Sequence, residues 1–193
     1  MKLTTIYYGS DIIRYTVQTF GCKVNQYESA LIAKAMDEHG YKKTDDIFTA
    51  DIVIINSCSV TENSDKKAKQ LINRIKSRDP MKTVVLTGCF PQAFPETAAK
   101  LSADIVTGTE HKESLADMID IFTGNNVKQV AIPPRPVKKQ YENQKNADMG
   151  KTRAFIKIED GCDRFCSYCI IPTARGSVRS RHLQDIIEET RFQ

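Results

Sequence analysis

The sequence has no tryptophan, and no apolar run in it approaches the ~20 residues that a membrane-spanning helix needs. Its opening stretch, MKLTTIYYGSDIIRYTV, lacks a long apolar core and is broken by Asp11 and Arg14, so it does not read as a secretory signal. These absences point to a cytoplasmic protein with no membrane partner. In that compartment cysteines stay reduced, and they more often hold metals or do chemistry than form disulfides. A charge excess is also missing over most of the chain: residues 1–132 carry 16 Lys/Arg and 16 Asp/Glu.

The net charge of +4 therefore resides in residues 133–193, with 12 basic and 8 acidic side chains. Residues 133–158 alone hold seven basic side chains and two acidic ones, which suits a solvated linker and a nucleic-acid contact about equally. The 193 residues, 40% hydrophobic and 27% charged, are ordinary for a globular protein of one domain, or one domain plus part of another.

Between residues 14 and 122 two textures alternate. RYTVQTF (14–20), DIVIINS (51–57), KTVVLTG (82–88) and ADIVTG (103–108) are short β-branched or apolar runs that predict strands. Helical patterns separate and follow them: NQYESALIAKAMDEHG after Cys22, residues 62–78, PETAAKL (95–101) and HKESLADMIDIF (111–122). Asn25 is placed to cap the first helix, with Glu28 three residues on and Gly40 to end it. Apolar strands separated by helices predict a doubly wound α/β domain built on a parallel sheet, residues 1–132. The Pro-, Lys-, Asn- and Gln-rich residues 133–150 read as a linker. Residues 151–193 open a second unit with a strand at RAFIKIE (153–159) and close on a helix at LQDIIEETRF (183–192).

Cys22, Cys58 and Cys89 each follow a predicted strand. In a parallel α/β sheet those strand ends share one edge, where such folds place ligands. Thiols 36 and 31 positions apart can therefore converge, although three buried structural cysteines fit the same spacing. The second set is denser. GCDRFCSYCIIP (161–172) holds Cys162, Cys166 and Cys169 in the pattern C-x3-C-x2-C. Three thiolates in one loop suit an iron–sulfur cluster with one iron left open, or zinc with His182 as a fourth ligand.

The string GCDRFCSYCIIPTARG, with Tyr168 before its last cysteine, resembles the signature of radical S-adenosylmethionine (SAM) enzymes and, within them, of the methylthiotransferases. TFGCKVNQYES, NSCSVTENSD and LTGCFPQ around the other three cysteines resemble the same family, and the four motifs run in its order over residues 14–182. The resemblance implies a transferase that binds two 4Fe-4S clusters and SAM. Cys162, Cys166 and Cys169 would hold the cluster that cleaves SAM to a deoxyadenosyl radical. Cys22, Cys58 and Cys89 would hold an auxiliary cluster that carries the inserted sulfur. Tyr168 is placed near the SAM adenine, no side chain is given a catalytic role, and the cofactors carry the hard chemistry.

GCKVNQYES (21–29) is most similar to the branch that adds a methylthio group to the adenine of threonylcarbamoyladenosine beside the anticodon of tRNA. The branch acting on isopentenyladenosine shows Gln-Met-Asn after that cysteine, and the one acting on a ribosomal-protein aspartate shows Pro-Lys-Asn; both remain alternative substrates. The implied partners are tRNA and a reducing donor such as a flavodoxin or ferredoxin. From other classes, a non-catalytic Fe–S electron carrier and a zinc-stabilised RNA-binding module stand as rivals.

The family's full barrel, its glycine-rich SAM segment and its C-terminal RNA-binding β-barrel have no counterpart after the cysteine loop. The chain is expected to be the opening of a longer enzyme, a partial TIM-type barrel begun and not completed, and inactive alone. With one unpaired barrel strand, residues 151–193 are expected to be poorly ordered. Arg175, Arg179 and Arg181 read as exposed, solvated side chains ahead of contacts to RNA phosphate or SAM, and His39, His111 and His182 as surface or capping residues.

Overall fold

The computed structural model describes residues 12–60, 62–110, 112, 114–134, 141 and 154–192. His111 and nearly all of the expected linker, 133–150, lie outside the described residues.

Strands β1 (Arg14–Phe20), β2 (Lys42–Lys43), β3 (Ile52–Ser57), β4 (Thr83–Gly88), β5 (Ile105–Thr107) and β6 (Gln129–Ala131) form one sheet in the order β2-β1-β3-β4-β5-β6. Every neighbouring pair in it is parallel. Helices α1 (Lys23–Glu38), α2 (Glu62–Arg78), α3 (Cys89–Ala93), α4 (Pro95–Ala99) and α5 (Leu115–Asn125) connect the strands.

Strand β3 shows why helices must cover both faces. Its side chains alternate between two cores, and all six residues are buried. Val53 and Ile55 join Ala68, Ile72 and Ile75 of α2, Phe90 of α3 and Ala98 of α4. Ile52 and Ile54 join Ile32 and Met36 of α1 and Leu115, Ile119 and Phe122 of α5. A strand apolar at consecutive positions is stable only when covered on both sides. The doubly wound α/β class expected from the sequence is the class observed.

After β1 the chain moves outward to β2, then returns across β1 to β3. The order of connection thus reverses between β1 and β3, which opens a crevice at their carboxyl ends, the usual ligand position in such sheets.

Residues 154–192 add β7 (Glu159–Asp160), α6 (Ile171–Arg175), β8 (Arg179–Ser180) and α7 (Leu183–Phe192). The strand expected over 153–159 shortens, among the described residues, to β7, which pairs antiparallel with β8 over two residues. A strand extends only as far as a partner backbone, and β8 supplies two residues of it. Nor do residues 154–192 form an unanchored tail: α6 packs on α3, and the Thr109 hydroxyl donates to the Ala174 carbonyl at 3.1 Å.

Candidate metal centre

The carboxyl ends of β1, β3 and β4 are in register, with Phe20 opposite Ser57 and Ser57 opposite Gly88. Cys22, Cys58 and Cys89 therefore leave the sheet side by side. The Cys58 thiol reaches the thiols of both Cys22 and Cys89. Cys58 and Cys89 are buried, and Cys22 is exposed at the crevice mouth.

Two glycines make this approach possible. A Cβ on Gly21 would stand 2.8 Å from the Cβ of Cys58 and 2.4 Å from Asn25 Oδ1. Gly88 has φ +102°, and a Cβ there would meet the Ser57 carbonyl oxygen at 2.3 Å. Any side chain at either position would push the cysteine-bearing turns apart.

Cys22, rather than Asn25, caps α1. Asn25 sits at the third helical position and completes a capping box: its Oδ1 accepts from the Cys22 amide at 3.3 Å. Asn25 Nδ2 then crosses to the Ser57 carbonyl at 3.2 Å, and Asn56 Nδ2 returns to the Asn25 carbonyl at 2.9 Å and to Ser29 Oγ at 3.0 Å. Ser57 Oγ donates to the Thr87 carbonyl at 2.9 Å. This buried polar belt ties the turn after β1 to those after β3 and β4, and it satisfies groups that would be costly to leave bare.

Glu28 is not part of a cap. It is 1% exposed and lies under the crevice, where Arg175 from α6 grips it with both nitrogens: Nη1 to Oε1 at 2.7 Å, Nη2 to Oε2 at 3.2 Å. Lys157 Nζ adds a contact at 3.0 Å. Burial alone would push the Glu28 carboxyl up, but the Arg175 and Lys157 charges outweigh it and hold the group well below the usual carboxylate range. Arg175 also reaches the Cys89 thiol. Within the triad, Cys58 donates to its neighbours: that lowers Cys22 to about 5 and Cys89 to about 7 against the opposing effect of burial, and it raises Cys58 itself.

The three arginines read as exposed are buried instead: Arg175 is 3% exposed, Arg179 9% and Arg181 5%. Arg179 pairs with Glu110 at 3.1 Å, and Arg181 pairs with Glu189 of α7. Each found a carboxylate that desolvates with it, which sequence spacing does not reveal. Sequence reading also passed over Lys112, 1% exposed, whose Nζ donates to Thr87 Oγ1 at 2.6 Å and to the Gly108 carbonyl at 2.9 Å.

The second triad is built differently. Gly161, at φ +83°, turns the chain into the loop, and the Cys162 amide closes its base by donating to the Gly176 carbonyl at 3.0 Å. The Cys169 amide donates to the Cys166 carbonyl at 3.0 Å, and the Arg164 amide to Cys162 Sγ at 3.5 Å. Cys166 is exposed, Cys162 and Cys169 are half-buried, and the Tyr168 ring stands in solvent at 89% exposure.

Among the described residues, the group of three ligating atoms all within 4.8 Å of one another is His39, Asp117 and Asp120, at the junction of α1 and α5. Neither cysteine triad is that tight, and His182 joins no such group. Thiolates around one tetrahedral zinc, at Zn–S ~2.3 Å, would stand about 3.8 Å apart. The wider, all-sulfur donor sets fit a multi-iron cluster better than a single zinc ion.

Known proteins resemble this chain along most of its length. A profile of "Uncharacterized protein family UPF0004" matches residues 14–108. The threonylcarbamoyladenosine tRNA methylthiotransferase MtaB of Thermotoga maritima is 42% identical over 90% of this chain and 39% of its own length. The protein of that name from Bacillus subtilis is 38% identical over 89% of this chain and 38% of its own. A tRNA-2-methylthio-N(6)-dimethylallyladenosine synthase from Syntrophus aciditrophicus is 34% identical over 91% of this chain and 39% of its own. Among solved structures, the radical S-adenosylmethionine methyltransferase TsrM of Kitasatospora setae shares the fold, with a TM-score of 0.57 over 93% of this chain and 45% of that one, at 12% identity. The chain thus spans about two fifths of the length of the curated relatives it matches. A family model matched over residues 14–108 and relatives aligned along nine tenths of the chain lead to one conclusion: the chain carries the UPF0004 region and is similar to the tRNA methylthiotransferases.

Proposed function

We propose that this chain supplies the two cluster-binding regions of an enzyme that adds a methylthio group to the adenine of threonylcarbamoyladenosine in tRNA. The observation that carries the reading is the meeting of Cys22, Cys58 and Cys89 at one sheet edge, in a chain that also bears the C-x3-C-x2-C loop. Cys22, Cys58 and Cys89 would hold one 4Fe-4S cluster, and Cys162, Cys166 and Cys169 the other. When bound, the clusters and SAM supply the radical, the sulfur and the methyl group, chemistry that no side chain can perform.

The chain's own residues hold and orient. The Asn25–Asn56 belt fixes the three strand-end thiols, and the Cys162–Gly176 hydrogen bond fixes the base of the loop. Tyr168, exposed beside Cys169, is placed to cover a ligand seated there. The division into 1–132, 133–150 and 151–193 follows the same logic, one unit for each cluster. The threonylcarbamoyladenosine substrate is favoured by the relatives of that name, at 42%, 38% and 33% identity, over the dimethylallyladenosine synthases at 30–34%. Among the described residues no helix is long and apolar enough to cross a membrane, which suits work on tRNA in the cytoplasm with a small reducing protein as electron donor.

Iron and sulfide analysis of the anaerobically reconstituted chain tests the cluster assignment. About eight irons per chain are expected for two four-iron clusters, and about one zinc with little sulfide overturns it. Mass spectrometry of tRNA nucleosides from a strain lacking the gene tests the substrate. Loss of methylthiolated threonylcarbamoyladenosine is expected; loss of the isopentenyladenosine derivative instead overturns that choice.

A further inference from the structure

The Glu28–Arg175 pair joins α1, which Cys22 caps, to α6, which packs on the helix that Cys89 opens, and no motif in the sequence assigns it a task. Arg175 is 3% exposed, binds Glu28 through both nitrogens and Asp160 at 3.1 Å, and its charge acts on the Cys89 thiol, which it lowers. Lys112, 1% exposed, is held against Thr87, two residues before Cys89. Among the described residues, Arg175, Lys157 and Arg179 form one buried ion-pair network with Glu28, Asp160 and Glu110.

We propose that Arg175 is a positioning residue that sets the reduction potential of the Cys22–Cys58–Cys89 site, with Glu28 fixing how much of its charge the site experiences. The inference rests on the cluster reading given above. Net charge and hydrogen bonds to the ligating sulfurs are the protein's main controls over the potential of an iron–sulfur centre. Reduction adds one electron to the site, and a fixed guanidinium beside a ligating sulfur stabilises that added charge, strongly so in a dry interior. Glu28 opposes it by neutralising the guanidinium. The two residues therefore act with opposite signs, although both belong to one ion pair. A simple strut cannot produce that signature, because breaking a strut from either end has the same result.

The test uses the full chain carrying Cys162→Ala, Cys166→Ala and Cys169→Ala, reconstituted anaerobically with iron and sulfide so that only the strand-end site loads. The fraction reduced is followed by electron paramagnetic resonance against solution potential. At the midpoint of this parent, Arg175→Gln is expected to shift the reduced-to-oxidised ratio about tenfold toward oxidised, equivalent to about 59 mV for one electron. Glu28→Gln is expected to shift it several-fold toward reduced, and Arg175→Lys to stay within about threefold of the parent. If Arg175→Gln takes up no iron, the upward shift in Glu28→Gln and the near-parent value in Arg175→Lys carry the test. Shifts of one sign in both glutamine variants, or no shift at equal iron content, overturn the inference and leave the cluster reading intact. A parent that binds no iron overturns both.

Discussion

The two cysteine triads reach a similar donor set by opposite means. Cys162, Cys166 and Cys169 lie within eight residues, and a glycine turn with two backbone hydrogen bonds holds their loop at the surface. Cys22, Cys58 and Cys89 span 68 residues and depend on a parallel sheet, two glycines without room for a Cβ, and a buried asparagine belt. Local sequence can specify a site open to solvent. A site drawn from distant positions needs an edge that aligns strand ends, and in return it gains burial.

The contrast can be broken most sharply at the thiols. Cys58→Ala is expected to abolish iron uptake at the strand-end site, removing about four irons per chain, while Cys166→Ala removes a similar number from the loop. Equal iron in either variant and the parent would show that the triads are not separate sites. Next in size is the ion pair joining the two regions. Arg175→Ala leaves the buried Glu28 carboxylate with Lys157 alone and should cost about 3–5 kcal/mol in urea unfolding; a loss below about 1 kcal/mol would mean that solvent reaches Glu28 in the variant.

Acid probes the same pair from its other side. The Glu28 carboxyl titrates lower in the folded chain than in the unfolded one, so in acid the unfolded state binds more protons. Its contribution is complete above about 4.5, the ordinary value, and is lost progressively below it. Urea midpoints measured downward from pH 5 should therefore fall more steeply in the parent than in Glu28→Gln. Asn56→Ala, which leaves Ser29 and the Asn25 carbonyl short of a donor, should cost about 1–3 kcal/mol. At the surface loop, Tyr168→Ala should change stability by less than about 0.5 kcal/mol, since its ring is 89% exposed.

The same division explains what could be read in advance. Strands β1, β3 and β4 and helices α2 and α7 are legible because their periodicity is local, and the strand-end cysteines follow once the sheet is recognised. Strands β2 and β6 escaped notice. The first is two exposed lysines, Lys42 and Lys43, and the second has no buried residue to signal a strand. The arginines were misread for a deeper reason. Arg175 and Arg179 are buried by carboxylates 147 and 69 positions away, and nothing near them in sequence distinguishes them from solvated side chains. Apolar periodicity announces its own burial, whereas a charge becomes buried only when a partner arrives from elsewhere.

That separation of 147 positions bears on how the molecule is made. A ribosome releases Glu28 long before it adds Arg175, and the six sheet strands have all emerged by Ala131. During that interval the nascent sheet holds an acid without its counter-ion, hydrated or carrying a proton until α6 docks. Synthesis thus leaves the strand-end crevice uncovered for a time before the late-made segment closes beneath it, and a molecule damaged in that segment would keep its sheet while losing the clasp.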